Sequence, residues 1–239
     1  MVVYTHGGGW VIATNDTYDS SARALCNAAE AIIVAVEYRK APEHKFPAAH
    51  QDTFAAYHWV LQNAAELGGD PERVAVAGES AGGNLAVATA ILARDNGLPL
   101  PRHVLSVYPI ASGYTNSPSY VEHADAKPLN RPMMQWFLNH YLRSVADAEN
   151  PLISLVNADL RGLPPTTIIN AEIDPLRSEG ERLANRMRAA GVDVTHHVHE
   201  GVTHEFFGMA AVVDKAATAV QEAAEGLRSS FALAAAAHA

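Results

Sequence analysis

The chain has 239 residues, of which 49% are hydrophobic and 18% are charged, and this balance is typical of a globular protein with one sizeable core. Its formal net charge of -9, with no long cluster of lysine or arginine, argues against an electrostatic grip on nucleic acid. Its single cysteine, Cys26, excludes an intrachain disulfide and a cysteine-rich metal site, and no apolar run is long enough to cross a bilayer.

Short β-branched runs alternate with alanine-rich segments along the chain, and this alternation is typical of βα units around a mainly parallel sheet. Strands are predicted near residues 2–4, 32–37, 74–77, 103–108, 166–170 and 194–199. Helices are predicted near residues 18–30, 48–66, 81–96, 131–143, 179–190 and 209–231. We therefore expect an α/β fold with helices flanking the sheet, one domain over residues 1–239, a cytoplasmic location, and no nucleic-acid or membrane partner.

The first predicted strand leads into a run of three glycines, residues 7–9, which lies between His6 and Trp10. Three consecutive glycines are costly to order, so such a run indicates a backbone that approaches a ligand closely and directs its N–H groups at an oxyanion. The amides of Gly8 and Gly9 are the predicted donors. The alternatives are a flexible turn or a phosphate-binding loop, but the latter would need G-x-G-x-x-G spacing or a following lysine.

The third predicted strand is followed by the pattern G-E-S-A-G at residues 78–82 and then by an apolar helix. A G-x-S-x-G pattern between a strand and a helix is typical of a nucleophile elbow, in which small residues flank a serine in a strained turn. We predict Ser80 as the nucleophile and the amide of Ala81 as a further oxyanion donor. A plain glycine turn is the alternative interpretation.

Residues 111–163 interrupt the alternation with prolines, polar turns and one helix that carries Met133, Met134, Trp136, Phe137 and Tyr141. Insertions beyond the strand ends are where open α/β sheets place ligand sites, so this cap-like insertion is a candidate for shaping a substrate pocket. Methionine and aromatic side chains at helical spacing are more often core packing, and packing is the interpretation that we favour.

Two titratable residues follow the last two predicted strands, Asp174 after residues 166–170 and His204 after residues 194–199. Catalytic groups of such sheets lie just past the carboxyl ends of the strands, so both are expected near the serine. A serine needs a base to take its proton and a carboxylate to orient that base, and the order Ser, Asp, His is that of the α/β-hydrolase triad. Glu172 lies in the same loop and remains a rival of Asp174.

The chain contains twelve histidines, and position along the strands discriminates among them. His196, His197 and His199 lie within the last predicted strand, where the pattern favours a strand surface over a metal site. No metal site is therefore expected.

Six motifs lie between residues 6 and 180: HGGGW at 6–10, EYRKAPE at 37–43, FPAA at 46–49, LGGDP at 67–71, GESAGG at 78–83 and DPLRSEG at 174–180. Together they resemble the bacterial hormone-sensitive-lipase family of carboxylesterases, within the α/β-hydrolase superfamily, and the likeness runs over about residues 2–227. The resemblance implies that fold and a cofactor-free hydrolysis of short- to medium-chain acyl esters. It also implies a triad of Ser80, Asp174 and His204.

The same resemblance implies that the amides of Gly8, Gly9 and Ala81 form the oxyanion hole. The expected function is therefore that of a serine carboxylesterase that forms an acyl-enzyme on a small-molecule ester. An amidase, a deacetylase or a lipase would share this machinery, and a long-chain lipase is disfavoured because no amphipathic lid is evident. The rival from another class is a truncated, catalytically impaired scaffold that binds a ligand on the same fold, and the presence of His204 argues against it.

Two positions near the predicted site depart from the family pattern. Glu205 follows the candidate base where family members usually have glycine, and Ser178 stands where they usually have aspartate. A carboxylate facing His204 would favour the imidazolium and raise the pKa of that histidine. The alternative, which we favour from the sequence, is that Glu205 points to solvent.

The family also has a substantial stretch before the HGGG motif, with cap helices and two early strands that have no counterpart in this sequence. We therefore expect a reduced cap and a sheet without those strands. The strand near residues 32–38 is then expected to expose an apolar edge, either paired with another subunit as a homo-oligomer or shielded by the chain itself. A reduced cap also predicts a wider acyl site and an altered preference for chain length.

Overall fold

The computed structural model describes residues 1–236, which include a parallel sheet of six strands in the order β2-β1-β3-β4-β5-β6. The strands are β1 Val2–Thr5, β2 Ile33–Val36, β3 Ala75–Glu79, β4 Val104–Val107, β5 Thr166–Ile173 and β6 Val194–Thr203. The helices are α1 Asp19–Ala29, α2 Ala48–Asn63, α3 Ala81–Asp95, α4 Pro118–Glu122, α5 Arg131–Tyr141, α6 Arg177–Ala189 and α7 Asp214–Ala236. The predicted α/β class, a mainly parallel sheet flanked by helices, is confirmed.

Helices cover both faces of the sheet, as a parallel sheet requires because its crossover connections lie on those faces. On one face α2, α3 and α6 bury a core that includes Tyr57 and Leu183. On the other face α1 and α7 bury a second core that includes Leu25 and Leu227. None of the helices within the described range is long and apolar enough to span a membrane.

The segment over residues 111–163 holds α4, α5 and two 3-10 turns, at Val145–Glu149 and Leu155–Asn157. The short helix α4, with Pro118 in its first turn, was not predicted. A stacked contact between Tyr141 and Trp10, with ring centroids 4.6 Å apart, packs α5 against the glycine loop. Ser119 and Ser178 exchange backbone-to-hydroxyl hydrogen bonds of 3.1 and 3.0 Å, which tie α4 to α6.

Strands β5 and β6 extend further than their predicted ends at residues 170 and 199. A bulge shifts the register between Ala171 and Ile173, after which Ile173 still pairs with Thr203. Gly201 has a φ of 70°, a conformation that suits glycine. Gly201 therefore allows a bulge instead of ending the strand. The pairing of β5 with β6 continues to Ile173 and Thr203, the residues just before Asp174 and His204.

The last helix begins at Asp214, five positions beyond the predicted start at residue 209. The amides of Val212 and Val213 both donate to the Met209 carbonyl at 2.9 Å, so a turn occupies the start of the predicted helix. A 3-10 turn at Phe206–Gly208 precedes it. Residues 237–239 of the predicted domain lie outside the described residues.

Strand β2 forms one edge of the sheet and pairs with β1. Its residues are half-buried or exposed, whereas β1 is buried throughout. The Asn15 side-chain amide donates to the Ala35 carbonyl at 3.3 Å, and the Asn15 backbone amide donates to the Glu37 carboxylate at 2.8 Å. The chain therefore shields part of this edge itself, in line with one of the two predicted alternatives.

Candidate active site

Ser80 occupies the single position between the end of β3 and the start of α3. Its φ of 58° and ψ of -115° lie outside the favoured regions for a residue with a side chain. A Cβ atom on Gly78 would lie 2.2 Å from the Gly82 carbonyl oxygen, and one on Gly82 would lie 2.0 Å from that of Thr5. The two glycines of the motif are therefore required by the close crossing of β1, the turn and α3.

Asp174 and His204 emerge side by side, because Ile173 and Thr203 are paired at the ends of β5 and β6. The His204 Nδ1 atom lies 2.7 Å from an Asp174 carboxylate oxygen, and its Nε2 atom lies 3.0 Å from the Ser80 hydroxyl. All three side chains are buried. The other Asp174 oxygen accepts the Leu176 amide at 2.8 Å, which fixes the carboxylate. The structure thus brings the three sequence-predicted side chains into one hydrogen-bonded relay.

Glu172, the alternative candidate for the orienting carboxylate, binds a backbone amide instead of His204. It accepts the amide of Gly201 at 2.7 Å, so it supports the bulge of β6. The carboxylate that reaches His204 belongs to Asp174.

The surroundings of His204 favour its protonated form. Burial opposes a charge on the imidazole, but the Asp174 carboxylate raises the pKa through its charge and its hydrogen bond, and the charges of Glu205 and Glu79 add to this. The net effect is a pKa above the ordinary value for histidine. The Tyr108 ring, with its centroid 4.4 Å from that of the imidazole, holds the ring in place. His204 is therefore a stronger base than a free imidazole.

The glycine loop lies beside this relay. Gly8 and Gly9 have φ values of 94° and 59°, and both line the same cavity as the candidate nucleophile. A Cβ atom on Gly8 would lie 2.2 Å from the Ile12 carbonyl oxygen, and one on Gly9 would lie 2.2 Å from the Phe137 ring. Side chains are thus excluded at both positions, and the third predicted donor, Ala81, opens α3 directly after the candidate nucleophile.

A cavity of about 380 Å³ opens onto the relay and is mostly apolar, as small-molecule sites usually are. Met133 and Phe137 of the insertion line it together with Leu129. Met134 and Tyr141, on the same helix, are instead buried in the core. The helix therefore serves both purposes, packing with one set of side chains and shaping the cavity with another.

Glu205 faces the site, but its side chain is still 36% exposed, so the predicted orientation toward solvent is only partly correct. One of its carboxylate oxygens lies 3.7 Å from the His204 Nε2 atom. The Tyr18 hydroxyl contacts both oxygens, at 2.7 and 2.8 Å. Tyr18 comes from the turn before α1, far away in sequence, and no local pattern predicts that contact.

Sequence reasoning also missed a buried group behind the nucleophile. Glu79 accepts hydrogen bonds from the hydroxyls of Tyr4 and Tyr108. Burial and the nearby charge of Glu205 raise the pKa of Glu79 to about 7, although those hydrogen bonds oppose the shift. Its place inside the G-x-S-x-G motif was a signal for Glu79. Tyr4 lies in β1 and Tyr108 directly follows β4, and no local pattern indicated that they would contact Glu79.

The histidines of β6 have protein partners. His196 lies 3.0 Å from the Asn170 side-chain oxygen, and His199 lies 2.8 Å from a Glu222 oxygen. Within residues 1–236, no three histidine, cysteine, aspartate or glutamate side chains are grouped so that they could hold a metal ion.

Comparison with known proteins gives consistent likenesses. The sequence matches the family described as "alpha/beta hydrolase fold" over residues 2–208. It is 45% identical to a carboxylesterase of Mycobacterium tuberculosis, covering 92% of this chain and 70% of that protein. It is 39% identical to an arylesterase of Saccharolobus solfataricus, covering 87% and 68%. A solved esterase structure from Pyrobaculum calidifontis has a TM-score of 0.93 at 41% identity, covering 95% of this chain and 76% of that one.

Proposed function

Because the chain belongs to the hormone-sensitive-lipase family of carboxylesterases within the α/β-hydrolase superfamily and is a serine ester hydrolase, we propose that it cleaves short- to medium-chain acyl esters through a Ser-His-Asp triad. Ser80 is the nucleophile, His204 the general base and Asp174 its orienting carboxylate. The observation that supports this most directly is the buried relay, with 3.0 Å from Ser80 to His204 and 2.7 Å from His204 to Asp174.

The first half of the reaction forms an ester between the enzyme and the acyl group. His204 Nε2 takes the proton of the Ser80 hydroxyl while the serine oxygen attacks the ester carbonyl. The Asp174 carboxylate accepts a hydrogen bond from the Nδ1–H group, which keeps the lone pair of Nε2 toward the serine and stabilises the imidazolium as it forms. The imidazolium then gives its proton to the departing alkoxide, and the alcohol leaves.

The amides of Gly8, Gly9 and Ala81 donate hydrogen bonds to the carbonyl oxygen, on which negative charge develops during the attack. Donors that the fold already holds in place need no reorganisation when that charge appears, so they stabilise the transition state more than the substrate. In the second half of the reaction His204 removes a proton from water, which attacks the acyl-enzyme. Collapse of that intermediate releases the acid and returns the proton to Ser80.

The size and lining of the cavity support small acyl groups as substrates. Its volume of about 380 Å³ is near the lower end for ligand pockets, and Leu129, Met133 and Phe137 give it an apolar wall. We expect acetyl to hexanoyl p-nitrophenyl esters to be hydrolysed faster than the palmitoyl ester. A series of esters of increasing acyl length, measured as kcat/KM, tests this expectation.

The role of Ser80 is tested by Ser80→Ala. Loss of the nucleophile should lower kcat for p-nitrophenyl butyrate by about 10⁵- to 10⁶-fold, since the remaining triad members do not act without it. A fluorophosphonate probe should label the wild type and leave this variant unlabelled. Ser229→Ala, at an exposed position of α7, is the matched control, and both its kcat and its labelling by the probe should equal those of the wild type. Wild-type turnover in Ser80→Ala would contradict the proposed mechanism.

We also propose that two copies of the chain associate through the part of the β2 edge that Asn15 leaves uncovered. The strand reads Ile-Val-Ala-Val without a charge to oppose pairing, and Ile32 beside it is 39% exposed. Light scattering should find a dimer for the wild type and a monomer for Ile32→Lys. Leu100→Lys, at a residue that is 37% exposed, is the matched control and should remain dimeric. A monomeric wild type would overturn this proposal.

A further inference from the structure

Glu205 has a backbone conformation that its side chain makes unfavourable. Its φ of 71° lies in the left-handed region, where glycine is at ease and a residue with a Cβ atom is strained. Such strain persists where the surrounding structure holds it, and it is often found beside functional groups. The Glu205 side chain, whose presence makes this φ unfavourable, lies beside the candidate base His204.

Tyr18 fixes the carboxylate of Glu205 in place. Its hydroxyl contacts the two carboxylate oxygens at 2.7 and 2.8 Å, and it is itself 6% exposed. A Cβ atom on Gly7 would lie 2.2 Å from that hydroxyl, so the tyrosine is packed tightly against the glycine loop. The orientation of Glu205 is therefore set by the turn before α1 and by the oxyanion loop together.

The imidazole of His204 is faced by acidic groups from several elements. Asp174, after β5, contacts its Nδ1 atom, and the charge of Glu79, at the end of β3, also raises the pKa of the imidazole. The Tyr108 ring, after β4, packs on the imidazole. Glu205 approaches the opposite nitrogen, Nε2, at 3.7 Å. The positive charge that forms on the ring thus has a carboxylate near each of its two nitrogens.

We propose that Glu205 is a positioning residue for the base: held by Tyr18, its carboxylate stabilises the imidazolium of His204 and steadies the Nε2 edge toward Ser80. This inference rests on the proposed function and adds a second carboxylate to it. The proton moves from the serine oxygen to Nε2 and then to the departing alkoxide, and Glu205 neither gains nor loses one. Its effect is electrostatic and orienting.

The test is the pH dependence of kcat/KM in Glu205→Gln, which keeps an acceptor for Tyr18 and removes the charge. The acid limb reports the free enzyme's base and should move to lower pH by about half to one unit, the size expected of one charge about 4 Å away in a water-like medium. The plateau kcat should fall by a factor of about 3 to 10, since one charge near the imidazolium is lost. Glu205→Asp keeps the charge, so its acid limb should lie between those of Glu205→Gln and the wild type. Tyr18→Phe should show part of the fall in kcat seen in Glu205→Gln.

A second measurement does not depend on turnover. An NMR titration of the His204 ring in the resting enzyme should show the same downward shift of its pKa in Glu205→Gln. Glu30→Gln is the matched control, because Glu30 also has a left-handed φ, 51°, and ends α1 away from the site. Glu205→Gly, which relieves the backbone strain, should shift the acid limb as Glu205→Gln does.

Unchanged titration of His204 and an unchanged acid limb in both the glutamine and the glycine variants would overturn the inference. The wild type would then still be an esterase that depends on Ser80. If Ser80→Ala instead kept wild-type turnover, the proposed mechanism itself would fail, and the two failures are therefore distinguishable.

Discussion

The two ends of the parallel strands differ in how the backbone is held. At the carboxyl ends, the described residues with side chains and a positive φ include Trp10, Ser80, Tyr108 and Glu205. At the amino ends, the connections before β4 and β5 are built from Pro99, Pro101, Pro164 and Pro165, which line a wide, open surface groove. Unfavourable backbone geometry is more frequent at the end that holds the candidate chemistry, although Glu30, before β2 at the amino end, also has a left-handed φ. The prolines at the amino end restrict φ to a favoured range.

Two buried histidines, one at each end, have pKa values shifted in opposite directions. His204, at the carboxyl end, faces carboxylates and has a raised pKa. His103, at the amino end, lies between the hydroxyls of Thr167 and Ser230, at 2.9 and 3.0 Å. Burial without a counter-charge lowers the pKa of His103 to about 4. Burial alone therefore does not make a base, and at His204 the neighbouring carboxylates outweigh the effect of burial.

The largest expected effect that separates the two ends comes from Asp174→Asn. The amide cannot hold the Nδ1 proton as the carboxylate does, so the ring loses both its tautomer and its counter-charge, and kcat should fall by roughly 10⁴-fold. The same change at the amino end, Asp193→Asn before β6, should leave kcat within about twofold, the range of a distant surface substitution. Steady-state kinetics on p-nitrophenyl butyrate gives both values. Equal losses in the two variants would remove the distinction between the ends.

The next largest effect is expected from Gly8→Ala. The added methyl group would collide with the Ile12 carbonyl oxygen and move a proposed oxyanion donor, so kcat should fall by about 10²- to 10³-fold. Gly191→Ala, at the amino end, is the control, because Gly191 has a similar φ of 84° and open space where its Cβ would lie. That variant should cost about 1 kcal/mol of unfolding free energy and keep its kcat. A full kcat in folded Gly8→Ala would argue against the glycine loop as an oxyanion hole.

The sequence predicted those features that depend on local patterns. Alternating strands and helices gave the parallel sheet, because each segment carries its own hydrophobic period. Ser80 was predicted as the nucleophile from small residues in a strand-to-helix turn, and Asp174 and His204 were predicted beside it from their places after two strands. In each case the decisive information lay within a few residues of the chain.

Features that depend on distant contacts were not predicted. The bulge at Gly201 needs the register of β5, and the direction of Glu205 needs Tyr18, which is separated from it by 187 positions. Tyr4 lies in β1 and Tyr108 directly follows β4, so their hydroxyls reach Glu79 from two separate parts of the chain. Such contacts are fixed only when the sheet has formed, so a local pattern could not reveal them.

The smallest effect is expected at His103 and concerns stability rather than turnover. Its pKa is about 4 when folded and 6.5 in the reference state, so the unfolded chain binds a proton that the folded chain does not. The stabilising contribution is present above pH 6.5 and is lost as the pH falls toward 4. A shift of this size corresponds to about 3 kcal/mol of unfolding free energy.

His103→Gln should therefore flatten the fall in unfolding free energy between pH 6.5 and 4, as measured by urea denaturation at a series of pH values. Glutamine retains hydrogen-bonding groups for Thr167 and Ser230 but does not titrate. His58→Gln, at an exposed position of α2, should keep the wild-type slope, and kcat at pH 8 should stay within about twofold in both variants. If His103→Gln kept the wild-type slope, a hydroxyl-lined pocket would not be what holds that histidine neutral, and the contrast with His204 would need another cause.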